Sequence, residues 1–114
     1  EIPSCVASNG SEDKMRITLG QTGLWDRFAD RMFSAHTLGT AKPDPDLFLA
    51  AAAHFSIPPK NCVVVEDSTS GVTAAIRAEM RCLGYAAHDD GAALGSLGAE
   101  VFHQMSAAPG LLGL

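Results

Sequence analysis

Positive charge is scarce in this chain: 8 lysines and arginines stand against 13 aspartates and glutamates, a formal net charge of -5 over 114 residues. No basic footprint results, so neither a nucleic acid nor an anionic membrane is expected as a partner. Aromatic residues are few as well, at 6%, and the single tryptophan, Trp25, reads as core rather than as a platform for a ligand. No apolar run approaches the roughly 18 residues of a membrane span, and no secretory leader precedes the first apolar segment, so a cytoplasmic location is expected. The 3 cysteines, Cys5, Cys62 and Cys82, lack the close spacing of a metal knuckle and read as reduced thiols in or beside buried strands. The 4 histidines, His36, His54, His88 and His103, are scattered, which argues against a zinc site or a histidine-based triad.

What the chain does have is apolar substance. With 46% hydrophobic and 18% charged residues it can bury a core, and residues 1–114 read as one domain with no second. Ile2–Ala7 is a short apolar strand, followed by the loop "SNGSED" and a helix carrying Met15 and Leu19, with Glu12 and Asp13 at its positive end. Leu24, Trp25 and Phe28 suggest a short helical turn, and Arg31–Ala35 a second strand. Asp44 before Pro45 is a helix start, and Leu47, Ala51 and Phe55, with Phe48 and Ala52, give that helix an inward face. Cys62–Glu66 is uninterruptedly apolar before its terminal acid, as suits a strand covered on both faces. A helix over Ser70–Ala78 with Val72, Ala75 and Ile76 inward, a strand over Arg81–Tyr85, a helix from about Asp90 to Leu97 and a strand near Val101 complete the alternation; the tail "SAAPGLLGL" reads as a frayed helix. Strand and helix in turn imply an α/β sandwich around a parallel sheet with right-handed crossovers.

In such sheets ligands gather outside the carboxyl ends of the strands. Three polar clusters fall on that rim: "SNGS", "AKPDPD" and "EDSTSG". Glu66 and Asp67 pose the sharpest physical question, since two unit charges about 4 Å apart repel by roughly 4 kcal/mol at an effective dielectric of about 20. A hard divalent cation such as Mg²⁺ turns that repulsion into attraction; a solvated loop with a helix-capping acid is the plainer alternative. Ser8, Asn9 and Gly10, ahead of a helix, form a plausible phosphate cradle, or simply a turn. Lys42, between a strand end and a capped helix, is placed to neutralise a phosphoryl group, unless it is an ordinary surface lysine.

In this order the clusters resemble the haloacid dehalogenase-like superfamily, in its phosphatase and β-phosphoglucomutase-like branch. "VASNGS" is similar to the family's second motif, which implies Ser8 as donor to a phosphoryl oxygen with Asn9 and Gly10 beside it. "AKPDPDLFLAAA" is similar to the third, implying Lys42 as the stabilising lysine; "VVVEDSTSGVTAA" is similar to the fourth, implying Asp67 as a direct Mg²⁺ ligand and Glu66 as a direct or water-mediated one. The resemblance implies a Rossmann-like three-layer sandwich and Mg²⁺-dependent phosphoryl transfer from a small phosphorylated metabolite, sugar phosphates included, through an aspartyl-phosphate.

The family's first motif, an Asp-x-Asp that supplies the nucleophile and the acid/base, has no counterpart here. "DPD" at Asp44–Asp46 has the spacing but follows Lys42 and opens a helix. The cap domain that selects the substrate is missing too. The nucleophile strand would lie between Ile2–Ala7 and Cys62–Glu66, so its loss implies a gapped sheet with unpaired edges. A preceding segment of the same protein is therefore the expected partner, and this chain alone is expected to be inactive. Two small departures are Ala41 before the lysine and Glu79 before Met80, where the branch often carries glycine. Two rival readings remain: a non-catalytic, phosphate-binding or partner-dependent remnant of the family, and a two-component receiver-like signalling domain, whose acidic pair should come first in the chain.

Overall fold

The protein is described by a computed structural model covering residues 2–114. Strand β1 is Val6–Ser8, followed by helices α1 (Glu12–Gln21) and α2 (Trp25–Phe28), strand β2 (Met32–Ser34), and helices α3 (Ala35–Leu38) and α4 (Asp46–His54). Strand β3 (Val63–Glu66), helix α5 (Thr69–Arg77), strand β4 (Arg81–Tyr85), helix α6 (Ala92–Ser96), strand β5 (Glu100–Phe102) and helix α7 (Ala108–Leu111) complete the chain. All strand pairs are parallel, as the alternation implies.

The local causes are mostly those visible in the sequence. Ser11 Oγ accepts from Lys14 N at 3.1 Å and starts α1, with Glu12 and Asp13 in its first turn. Asp44 Oδ1 accepts from Asp46 N at 3.0 Å, so α4 opens two residues after the expected capping acid. Leu47, Phe48, Ala51 and Ala52 of α4 are buried; Phe55, just past the helix end, is half-buried. The main core joins Phe48 and Ala52 of α4 to Val72, Ala74 and Ala75 of α5 and to Val64 and Cys82 of the sheet. The small residues of α5 let that helix lie close against the strands.

Several expectations need correction. The first strand begins at Val6, not Ile2, which is 63% exposed; Pro3 has no N–H to give a ladder. Trp25 is half-buried and carries the Arg16 guanidinium 4.8 Å from its ring centroid, so it is not a core residue. Ile76 lies at the edge of the inward face of α5, 39% exposed, whereas Val72 and Ala75 are fully enclosed. Of the thiols only Cys82 is buried; burial, reinforced by Glu66 and Glu100, pushes it up to about 11, so it stays protonated and unreactive at neutral pH. Helix α3, ended by Gly39 at φ 70°, is a turn of helix that the sequence reading lacked.

The largest correction concerns β3. Val64 is 9% exposed, but Val63 and Val65 are 38% and 43% exposed, so one face of this strand is bare. Its edge is bare as well. The strands form two separate ladders, β1–β2 and β3–β4–β5, and no described strand joins β1 to β3. An apolar cleft of about 520 Å³ runs between them, lined by Cys5 and Ala7 on one side, Val64 and Val65 on the other, and Phe48 and Ala52 of α4. The expected gap in the sheet is therefore present where the sequence reading put it. Among the described residues no helix is long and apolar enough to cross a membrane.

Glu79 follows α5 with φ 62°, in the left-handed region that penalises a side chain. Its side chain is exposed, so Glu79→Gly is expected to stabilise the fold by about 1 kcal/mol. Chemical denaturation of the two forms checks this; an unchanged midpoint would contradict it.

Candidate active site

The three polar clusters meet at the carboxyl ends of β1 and β3. Ser8 closes β1, and its Oγ accepts from Gly10 N at 3.0 Å, which leaves the hydroxyl proton available to a ligand. Ser34, opposite Ser8 in the β1–β2 register and only 1% exposed, donates from Oγ to Gly10 O at 2.8 Å. Gly10 is thus pinned through both its N–H and its carbonyl.

Lys42 spans the break between the two ladders. Its Nζ donates to Ala7 O of β1 at 3.0 Å and forms an ion pair with Glu66 Oε2 of β3. The ammonium also lies 5.1 Å from the centroid of the Phe48 ring. Both partners of the pair are nearly enclosed, with side chains 9% and 10% exposed. A buried cation is tolerable only when paired and hydrogen-bonded, and here it is both.

Glu66 is held from its other side. Ser68 Oγ donates to Glu66 Oε1 at 3.2 Å, while the same hydroxyl accepts from Gly71 N at 3.1 Å and caps α5. The carboxylate therefore rests on the positive end of a nine-residue helix. Position 71 must be glycine for this: a Cβ there would come 2.0 Å from Glu66 Cδ. Gly71→Ala is expected to push Glu66 away from Lys42 and to cost about 1–3 kcal/mol of stability, readable as a lowered denaturation midpoint. A variant as stable as the parent would show that the carboxylate has room elsewhere.

Asp67 is exposed and points differently from Glu66. It borders a second cleft of about 520 Å³ together with Thr69, Tyr85, His88 and Asp89. Among the described residues no three His, Cys, Asp or Glu side chains converge as a metal shell would. The oxygen donors of Glu66 and Asp67 suit a hard cation in kind and fall short in number. The structure thus brings Ser8, Asn9, Gly10, Lys42 and Glu66 together, with Asp67 next to them on the rim. Sequence reasoning missed Ser34 and the role of Gly71; a hydroxyl ending a strand, directly before a helix, was the only available signal for the first.

A family profile for haloacid dehalogenase-like hydrolases matches residues 1–79. The 6-phosphogluconate phosphatase of Escherichia coli (strain K12) is 37% identical over 78 residues, 68% of this chain and 35% of that protein. A conserved haloacid dehalogenase-like protein of unknown function from Agrobacterium tumefaciens str. C58 superposes with a TM-score of 0.92 at 36% identity, over 97% of this chain and 54% of that one. A HAD family hydrolase from Deinococcus radiodurans R1, solved with bound phosphate and sodium, superposes at 0.89 with 30% identity, over 98% and 53%. Parallel α/β ladders with a lysine bridging two strand ends define an α/β protein with a charged cluster at the strand rim, and the matches name its family. The chain belongs to the haloacid dehalogenase-like hydrolase family. That membership sets aside the receiver-domain reading. The chain spans about a third of the Escherichia coli phosphatase and about half of each of the two solved structures.

Proposed function

We propose that this chain is part of the core of a Mg²⁺-dependent phosphatase or phosphomutase that acts on small phosphorylated metabolites, sugar phosphates among them. The observation that carries the reading is the Lys42 ammonium, held between Ala7 O and Glu66 at the strand rim beside the Ser8 hydroxyl. Ser8 would donate to a phosphoryl oxygen, and the loop Asn9–Gly10 would border the phosphate. Lys42 would stabilise the charge on the transferring group as a preorganised cation in a largely water-excluded setting. Asp67 and, behind it, Glu66 would hold Mg²⁺, which when bound neutralises phosphate charge. The similarity to a 6-phosphogluconate phosphatase supports the substrate class.

The nucleophile would be an aspartate outside this chain, on a strand seated between β1 and β3. The bare edge and face of β3 and the apolar cleft support that placement. The partner is then a preceding segment of the same protein. A cytoplasmic location accords with three unpaired thiols.

The test is phosphate release from p-nitrophenyl phosphate by the complete protein, with Mg²⁺ and after chelation. Turnover that needs the cation is expected; the same rate after chelation, or no turnover at all, would overturn the reading, the latter in favour of a non-catalytic remnant.

A further inference from the structure

Asn9 is exposed, where a carboxamide is ordinarily satisfied by water, yet both of its ends are spent on one residue 33 positions away. Lys42 N donates to Asn9 Oδ1 at 2.9 Å, and Asn9 Nδ2 donates to Lys42 O at 3.4 Å. The side chain thus grips the main chain of Lys42 from both directions, as a neighbouring strand would. Asn9 cannot swing freely either, because Gly10 after it is fixed by Ser8 Oγ through its N–H and by Ser34 Oγ through its carbonyl.

We infer that Asn9 is a positioning residue, whose carboxamide fixes the main chain of Lys42 and so sets where the ammonium stands relative to the Ser8 hydroxyl. A lysine reaches its charge through four flexible bonds, so a defined ammonium position needs a defined starting point. Among the described residues no other hydrogen bond ties the main chain at Lys42 to the end of β1; the ammonium's own bond to Ala7 O comes from the far end of the side chain. The amide geometry, one donor and one acceptor set side by side, matches a peptide group and explains asparagine here in place of a charged residue. The inference rests on the phosphoryl role proposed for Lys42.

The experiment is a double-mutant cycle in the complete protein, with p-nitrophenyl phosphate as the probe and single-turnover rates to reach slow variants. Asn9→Ala is expected to lower kcat about 10- to 100-fold while KM moves less than about 3-fold, since misplacement of about 1 Å costs on that order. In Asn9→Ser, whose hydroxyl can keep only one of the two main-chain bonds, the loss should be intermediate. Combined with Lys42→Ala, Asn9→Ala should add no further loss, because the group it positions is gone. Losses that multiply, with a raised KM, would make Asn9 a direct phosphate contact and overturn the inference while the Lys42 reading stands. Wild-type kcat in Asn9→Ala would overturn it equally. A near-normal rate in Lys42→Ala alone would sink the phosphoryl reading and this inference with it.

Discussion

Lys42→Ala is expected to slow turnover of the complete protein by at least about 100-fold and, separately, to destabilise it by about 3–5 kcal/mol. The two effects have different causes. Activity falls because a preorganised cation is lost where phosphoryl charge develops. Stability falls because Glu66, its side chain 10% exposed, is left as an uncompensated buried carboxylate. The double variant Lys42→Ala/Glu66→Gln separates them: removing the stranded charge should return most of the stability and none of the activity. Kinetics and denaturation on the same preparations give both numbers. A Lys42→Ala enzyme within about 3-fold of the parent rate would remove the lysine from the site.

Asp67→Ala should show the opposite pattern. Its side chain is exposed at the rim, so folding stability should change by no more than about 0.5 kcal/mol. Mg²⁺-dependent turnover should nevertheless fall by about 1,000-fold or more, because a metal's charge stabilisation amounts to several kcal/mol and each 1.36 kcal/mol is about tenfold in rate. Titrating Mg²⁺ against phosphate release distinguishes a lost ligand from a merely weakened one: if raised Mg²⁺ restores the parent rate, the acid tunes affinity only. A variant with unchanged rate and unchanged Mg²⁺ dependence would shift the metal site away from this acid. Lys42→Ala tests a group that holds the fold and the site together; Asp67→Ala tests one that serves the site alone.

The order of elements was legible because apolar runs and the Asp44–Pro45 helix start announce themselves locally, as in the apolar stretch of β3, whereas the caps at Ser11 and Ser68 emerge only in the structure. Burial was less legible. The valines of β3 ask for cover on both faces, but a run of valines cannot reveal that nothing among the described residues supplies it to Val63 and Val65. Pro3 shortens β1 for a reason that apolar character alone hides.

At the site, Ser8, Lys42, Glu66 and Asp67 could be picked out because each ends a strand or precedes a helix, and the family resemblance supplied their roles. The contacts that organise them cross 24 to 35 residues of sequence: Ser34 to Gly10, Asn9 to Lys42, Lys42 to Glu66 and Ala7. Such pairings leave no periodic trace. Gly71 is the clearest case, a glycine that reads in the sequence only as the end of a polar cluster leading into a helix, whose missing Cβ makes the room that Glu66 fills. Glu79 is the converse, a departure from glycine that was noticed in the sequence and that the φ of 62° explains as tolerated strain.

The central claim is that this chain supplies the charge-stabilising half of a phosphoryl-transfer site whose nucleophile lies outside it. The most direct test is to quench the complete protein during turnover of a phosphomonoester, reduce the trapped acyl phosphate with borohydride, and map the resulting homoserine by peptide mass spectrometry. The modified aspartate should fall outside residues 1–114. Homoserine at Asp44, Asp46 or Asp67, or a turning-over protein that traps none, would contradict the account.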